Sequence, residues 1–403
     1  MTSGQQFGRK PSKPLFVALV AITFVGPLSI HLFLPALPFV RQAFDVDQST
    51  AQLTYSLAML VMAFATLVYG SVSDRLGRLP VLLCGLALFT IGATLAVTAS
   101  NITILLIGRV LQGAGAACGI VLARAMVSDV YGADRLGKMI AYLTVAYVIG
   151  PLTAPPIGGL LIDRFGWQSI LILPAVFGFV AIVIAVTVIG ETSSPRTVVR
   201  PGLIFGYGRL FSAPVFMLYA LCPALFSGAF FAQGTAAAYL MIEVLHRPAS
   251  EFGILFMLGP GGFMVGNFLS GRLVDRHSGG SLIILGSLVT VAGVILLIGL
   301  IAVQGLTPFG LFVPLAVLTL GQGLAMPQSQ AAAIAHEPTL AGTASGIVMF
   351  LQFLFASLLP QLVSALSDST ATPMIVVVTT SAVLGLACGL GALLLARRGR
   401  TPV

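Results

Sequence analysis

Gly70-Ser71-Val72-Ser73-Asp74-Arg75 and Gly271-Arg272-Leu273-Val274-Asp275-Arg276 stand 201 residues apart in a chain of 403. Gly, Asp and Arg recur at the same offset, which is half the chain. Each copy closes a long apolar run and opens a short charged one. A matched polar corner in each half of an apolar chain reads as a duplicated membrane bundle. Duplicated bundles of this kind move solutes across the bilayer.

Composition agrees. The chain is 58% hydrophobic and 8% charged, against about 25% charged in soluble domains. Apolar runs of about 20 residues recur from end to end, each long enough to cross the hydrocarbon core. Alternation of the kind a β-barrel needs is absent. The four cysteines, Cys84, Cys118, Cys222 and Cys388, are scattered through apolar runs with no paired spacing, so they read as small buried residues. No metal site, cofactor or nucleic-acid partner is expected, and the net charge of +8 reads as loop charge that orients the chain.

Breaks at Gly, Pro, Asn and charged residues predict twelve spans: 15–39, 50–70, 79–99, 103–128, 138–161, 168–190, 213–242, 250–271, 281–303, 309–332, 340–366 and 373–396. The fold class is an all-α membrane protein of two pseudo-symmetric six-helix bundles, 15–190 and 213–396. A linker at 191–212 joins them, and short tails at 1–14 and 397–403 flank them. Fifteen Lys and Arg fall on the side of the termini and three, Arg41, Arg164 and Arg247, on the other. The positive-inside rule therefore makes both termini cytoplasmic. Arg109 and Arg124 lie within span four. Arg124 sits near its cytoplasmic end, where it can snorkel.

The first corner continues as Gly70-x-x-x-Asp74-Arg75-x-Gly77-Arg78. Arg75 and Arg78 can pair with loop acids such as Asp129, making a conformational latch. Gly271, Asp275 and Arg276 read as a weaker latch, because no Gly-Arg pair follows. Span four carries Gly108-Arg109-Val110-Leu111-Gln112-Gly113, with Arg109 and Gln112 one turn apart on a shared face. A charge at that depth costs roughly 2.5–3.5 kcal/mol on insertion scales, so it should face a cavity or a partner. Span five carries Gly150-Pro151-x-x-x-Pro155-Pro156-x-Gly158-Gly159, a run that can bend and pack closely.

These motifs resemble the signatures of the major facilitator superfamily, in its drug:proton antiporter branch. Leu34-Pro35-Ala36-Leu37-Pro38, Ala123-Arg124-Ala125 to Tyr131, and Gly342 to Gly346 are similar to the Bcr/CflA group of multidrug and antibiotic resistance exporters. The resemblance implies proton-coupled efflux of small organic molecules, a bacterial inner-membrane location and a monomer among lipids. It ties Arg109 to proton coupling and the span-five Gly/Pro run to export. A nutrient symporter of the same fold and a non-transporting receptor remain the competing readings. No nucleophile–base pair or phosphate loop points to an enzyme.

Relatives often carry an Asp three residues before the Leu-Pro-Ala-Leu-Pro stretch; this chain has His31. All twelve acids fall in loops or near span ends. By helical rise, His31 lies about 12 Å and Arg109 about 10 Å from the outer ends of their spans. The two are therefore expected to face each other, with Gln112, across the cavity that the resemblance places between spans one and four. A proton arriving at His31 would raise repulsion against Arg109 and help expel solute. A cavity with Arg109 and no acid suits neutral, zwitterionic or anionic solutes. Phe226, Phe230, Gln233, Phe350 and Phe353 are candidates to line an apolar substrate pocket, although ordinary helix packing is the commoner reason for such residues.

Overall fold

A computed structural model describes residues 12–192, 203–368 and 370–398. Expected tail residues 1–11 and 399–403 and linker residues 193–202 lie outside them. The described residues are almost wholly helical, and eleven stretches among them are long and apolar enough to cross a membrane. Large apolar side chains such as Phe179, Ile295 and Val303 lie exposed on the outside of the bundle, as lipid contact requires.

In chain order the helices are α1 (Lys13–Leu32), α2 (Leu37–Ala43), α3 (Gln48–Leu76), α4 (Arg78–Val97), α5 (Ile102–Phe165), α6 (Ser169–Val188), α7 (Leu203–Phe211), α8 (Pro214–Tyr239), α9 (Ala249–Phe256), α10 (Leu258–Leu273), α11 (Gly279–Gln304), α12 (Pro308–His336), α13 (Ala341–Ala365) and α14 (Thr372–Arg398). Their starts follow from capping chemistry. Ser12, Asn101, Ser278 and Thr307 each accept a hydrogen bond from a first-turn N–H of α1, α5, α11 and α12.

Three expectations change. The first span does not run straight. Pro35 and Pro38 remove backbone donors, so α1 gives way to a 3-10 turn at Leu34–Ala36 and restarts as α2. The second part of the 191–212 linker is a helix, α7. Its Leu210 is buried beneath α8, and its Arg209 pairs with Glu337 at 2.7 Å. Expected spans four and five fall in one helical assignment, α5, whose 64 residues would reach about 96 Å if straight. It is not straight. Ala116 touches Gly26 and Gly119 touches Ile22, whereas Gly150 touches Pro27 and Gly158 touches Leu32. The two arms of α5 therefore run past α1 in opposite directions, and the chain makes two crossings here.

The half-chain repeat shows in the packing. Gly85 and Gly92 of α4 lie against α5, and Gly286 and Gly293, each 201 residues on, lie against α12. A Cβ on Gly85 would come within 2.5 Å of Cys118, and one on Gly286 within 2.5 Å of the Gly321 carbonyl. Each half thus fixes its third helix through the same missing side chains.

The bundle has two faces. Lys13, Asp74, Asp129, Asp275 and Ala341 mark the terminal face; Arg41, Asp163, Glu243 and Leu366 mark the far face.

Candidate functional site

Arg109 is 2% exposed. Its Nε donates to the Thr54 carbonyl of α3 at 3.0 Å, and a terminal nitrogen donates to Gln112 Oε1. Its guanidinium carbon lies 4.1 Å from the centre of the Phe33 ring. Gly113 allows this approach, since a Cβ there would come within 2.3 Å of the Ala58 carbonyl. The i, i+3 spacing places Gln112 beside Arg109.

His31 finds different company. It is 4% exposed, stacks on Phe231 at 5.4 Å and tilts against Phe230 at 6.4 Å, both on α8 of the other half. Tyr55 of α3 also meets Phe231, at 6.2 Å. Phe230 continues to Phe256 and Phe252. An aromatic seam therefore joins the halves, with His31 as its one ionisable ring of near-neutral intrinsic pKa. His31 Nδ1 and Tyr55 OH are buried in it without hydrogen-bond partners. No hydrogen bond joins His31 to Arg109. Helical rotation explains the sorting: residues 31 and 33 are about 200° apart, so Phe33 faces Arg109 while His31 faces α8.

The other candidate pocket residues divide. Phe230 belongs to the seam, and Phe350 packs edge-on against Phe64 of α3 at 5.2 Å. Phe353 is buried in the core. Gln233 turns into its own half, donating to the Leu311 carbonyl at 3.1 Å. Phe226 stands apart, its ring against Gly385 of α14 and its carbonyl accepting from Gln322.

The first corner is knit within its own half. Arg78 reaches Asp74 at 2.7 Å and Asp129 at 2.9 Å, and donates to Ser73 Oγ at 2.6 Å. The Glu191 carboxylate accepts from the N–H groups of Arg78 and Leu79, capping α4. Gly70 has open space where a Cβ would point. Gly271 is likewise open, and no ion pair among the described residues holds Arg75, Asp275 or Arg276.

The span-five run does more than bend. Gly150 and Gly158 pack on α1. Gly159 packs across the halves, its would-be Cβ 2.2 Å from the Ala249 carbonyl, and Gly253 of α9 returns the contact onto Pro155. One turn on, the Asp163 carboxylate accepts from Ala249 N at 3.1 Å and Ser250 N at 3.0 Å, capping α9 from the opposite half. Sequence reasoning missed this group although its signal was present. Gly159-x-x-x-Asp163-Arg164-x-Gly166 repeats Gly70-x-x-x-Asp74-Arg75-x-Gly77. Gly166 and Gly77 even share a left-handed φ, +82° and +95°. A comparison at half-chain offset passes over it, because this copy sits 89 residues on, in the same half.

The far face carries more such contacts. Arg41 and Glu243 form an ion pair between the halves. Gln48 meets Ser367, Ser49 meets Gln361, Gln52 meets Ser364, and Ser357 donates to the Ser56 carbonyl. A cavity of about 610 Å³ opens among Arg41, Asp47, Tyr239, Glu243 and Ser364. These hydrogen bonds and the ion pair between the halves all lie toward this face. Among the described residues, these contacts clasp the halves at the far face.

The family profile described as Major Facilitator Superfamily matches residues 19–360. The chain is 27% identical to Multidrug resistance protein D of Escherichia coli (strain K12), over 90% of this chain and 91% of that one. It is 24% identical to the Bicyclomycin resistance protein homolog of Haemophilus influenzae, over 89% and 91%. Among solved structures, a peptide transporter POT in complex with sulfate superposes with a TM-score of 0.80 at 14% identity, over 99% of both chains.

Proposed function

We propose, from the premise that this chain belongs to the Major Facilitator Superfamily, that it exports small organic molecules in exchange for protons by alternating access. The terminal face is cytoplasmic, as the excess of Lys and Arg on that side requires. The substrates are neutral, zwitterionic or anionic, since the acids lie at or beyond span ends while Arg109 is buried. Relatives named for multidrug and bicyclomycin resistance support export.

The observation that carries the reading is His31 in the aromatic seam. Neutral, its ring stacks against Phe231 and helps hold the far face shut. Charged, it would need an acceptor for Nδ1–H, and that atom has none. The phenyl rings return less than the hydration an imidazolium loses. With the far face open, His31 takes a proton from that side, and its charge raises repulsion against Arg109 and helps solute leave. Re-forming the seam strips water from the imidazolium, so the proton passes on toward the terminal face and one proton enters for the solute exported. Arg109 adds a fixed positive field nearby, and its pairing with Gln112 holds it in place.

Transport in proteoliposomes under an imposed pH gradient tests this. His31→Ala should lose most of the dependence on the gradient, and His31→Asp should restore it with a shifted pH profile. Unchanged pH dependence in His31→Ala would sink the coupling role. Strong efflux of the cationic dye ethidium would refute the charge preference.

A further inference from the structure

α5 carries two arginines on its first arm, 15 residues apart. They are separated by about 22 Å along the helix and about 60° around it. Arg109 has an acceptor, a carbonyl and a ring face. Arg124 has none of these. Its Nε is shut off from solvent without a partner, while the side chain as a whole is half-buried and its terminal nitrogens are not shut off. Snorkelling, expected from its position, accounts for the terminal nitrogens but leaves Nε behind without an acceptor. The nearest acid in sequence, Asp129, is about 140° round the helix and is held by Arg78. Arg124 lies about 20° from Gly113 on the helical wheel, and Gly113 packs on α3. The side chain therefore leaves α5 on the protein side, away from lipid.

A guanidinium about 10 Å inside the end of a span, turned to the protein side with its Nε donor buried and unpaired, is an incomplete site. The group that completes it must be an anion with paired oxygens, which a planar guanidinium binds in two parallel hydrogen bonds. We infer that Arg124 recognises the carboxylate or related oxyanion of the transported solute as it enters from the terminal face. This rests on the export reading and narrows its substrates to molecules bearing an acidic group.

The test uses the purified full chain in a phosphate-free maltoside detergent, with benzoate and benzamide as probes of one shape and different charge. Benzoate should bind at least tenfold more tightly than benzamide. Arg124→Gln should bring benzoate down to the benzamide level, and Arg124→Lys should keep part of the preference. Loss of Arg124 leaves no protein acceptor unpaired, so Arg124→Gln should melt no lower than the parent without ligand. Equal binding of the two probes to the parent chain, or a preference intact in Arg124→Gln, would overturn the assignment. So would Arg124-dependent binding of phosphatidylglycerol in place of benzoate, which would make the ligand a lipid. Proton-driven export is read separately in proteoliposomes. Benzoate preference without export keeps the anion site and removes the export reading; export without benzoate preference does the reverse.

Discussion

Arg109 shows what a buried charge requires when the chain itself supplies it. Truncating it strands Gln112 Oε1 in a buried setting and opens a void beside Phe33. Arg109→Ala should therefore cost about 2–4 kcal/mol of stability, the range for losing charge-assisted bonds and leaving an acceptor unpaired. Arg109→Lys keeps the charge but cannot reach Thr54 and Gln112 together, nor lie flat on the ring. It should cost about half as much, yet lower transport more than tenfold. Melting of the purified protein and counterflow transport would measure both, and an Arg109→Ala variant as stable as the parent would discredit these contacts. The Arg109–Gln112 pair was readable from spacing alone, because i, i+3 neighbours share a face whatever surrounds them. The partner of His31 was not. Depth placed it level with Arg109, but only the rotation of α1 decides that Phe33 faces Arg109 while His31 meets Phe231.

At the scale of the element, the end of α5 is a docking surface built from a missing side chain and a carboxylate one turn apart. Gly159 lets α9 come to backbone contact, and Asp163 then satisfies two of the orphan N–H groups at the start of α9. Gly159→Val would drive a side chain into the Ala249 carbonyl, and Asp163→Ala would leave those donors to water. Both should loosen the far-face clasp. A single cysteine at Ser49, introduced into a cysteine-free background, should then react several-fold faster with a membrane-impermeant maleimide. Unchanged labelling in both variants would mean that this contact does not hold the face. The matching corner at Gly70 and Asp74 has the same spacing and the same terminal glycine geometry, but open space beside it. Spacing told where such corners are. Which one is engaged depends on how the halves lean, and a linear pattern does not record that.

For the molecule as a whole, composition sufficed for the architecture, since apolar run length and loop charge follow directly from the bilayer. Contacts between halves were harder to read because they pair residues up to 319 positions apart, such as Gln48 and Ser367. The hydrogen bonds and the ion pair among them are short and reversible, which suits an interface that must open. The Arg41–Glu243 pair is the charged member, with side chains 41% and 18% exposed. Solvent screening at that exposure limits it to roughly 0.5–1 kcal/mol, enough to move a two-state balance about two- to fivefold and no more. Spin labels at Gln42 and Leu366, one on each half of the far face, would report that balance as two distance populations. Arg41→Glu should shift it toward the longer distance by that factor at low salt, by placing two carboxylates together. The double exchange of Arg41→Glu with Glu243→Arg should bring it back, and 1 M salt should shrink the difference as screening grows. If Arg41→Glu leaves both populations unchanged at low salt, the closure rests on the neutral pairs of α3 with α13 and on Asp163. The ion pair would then be a passenger on a face that the other contacts already hold.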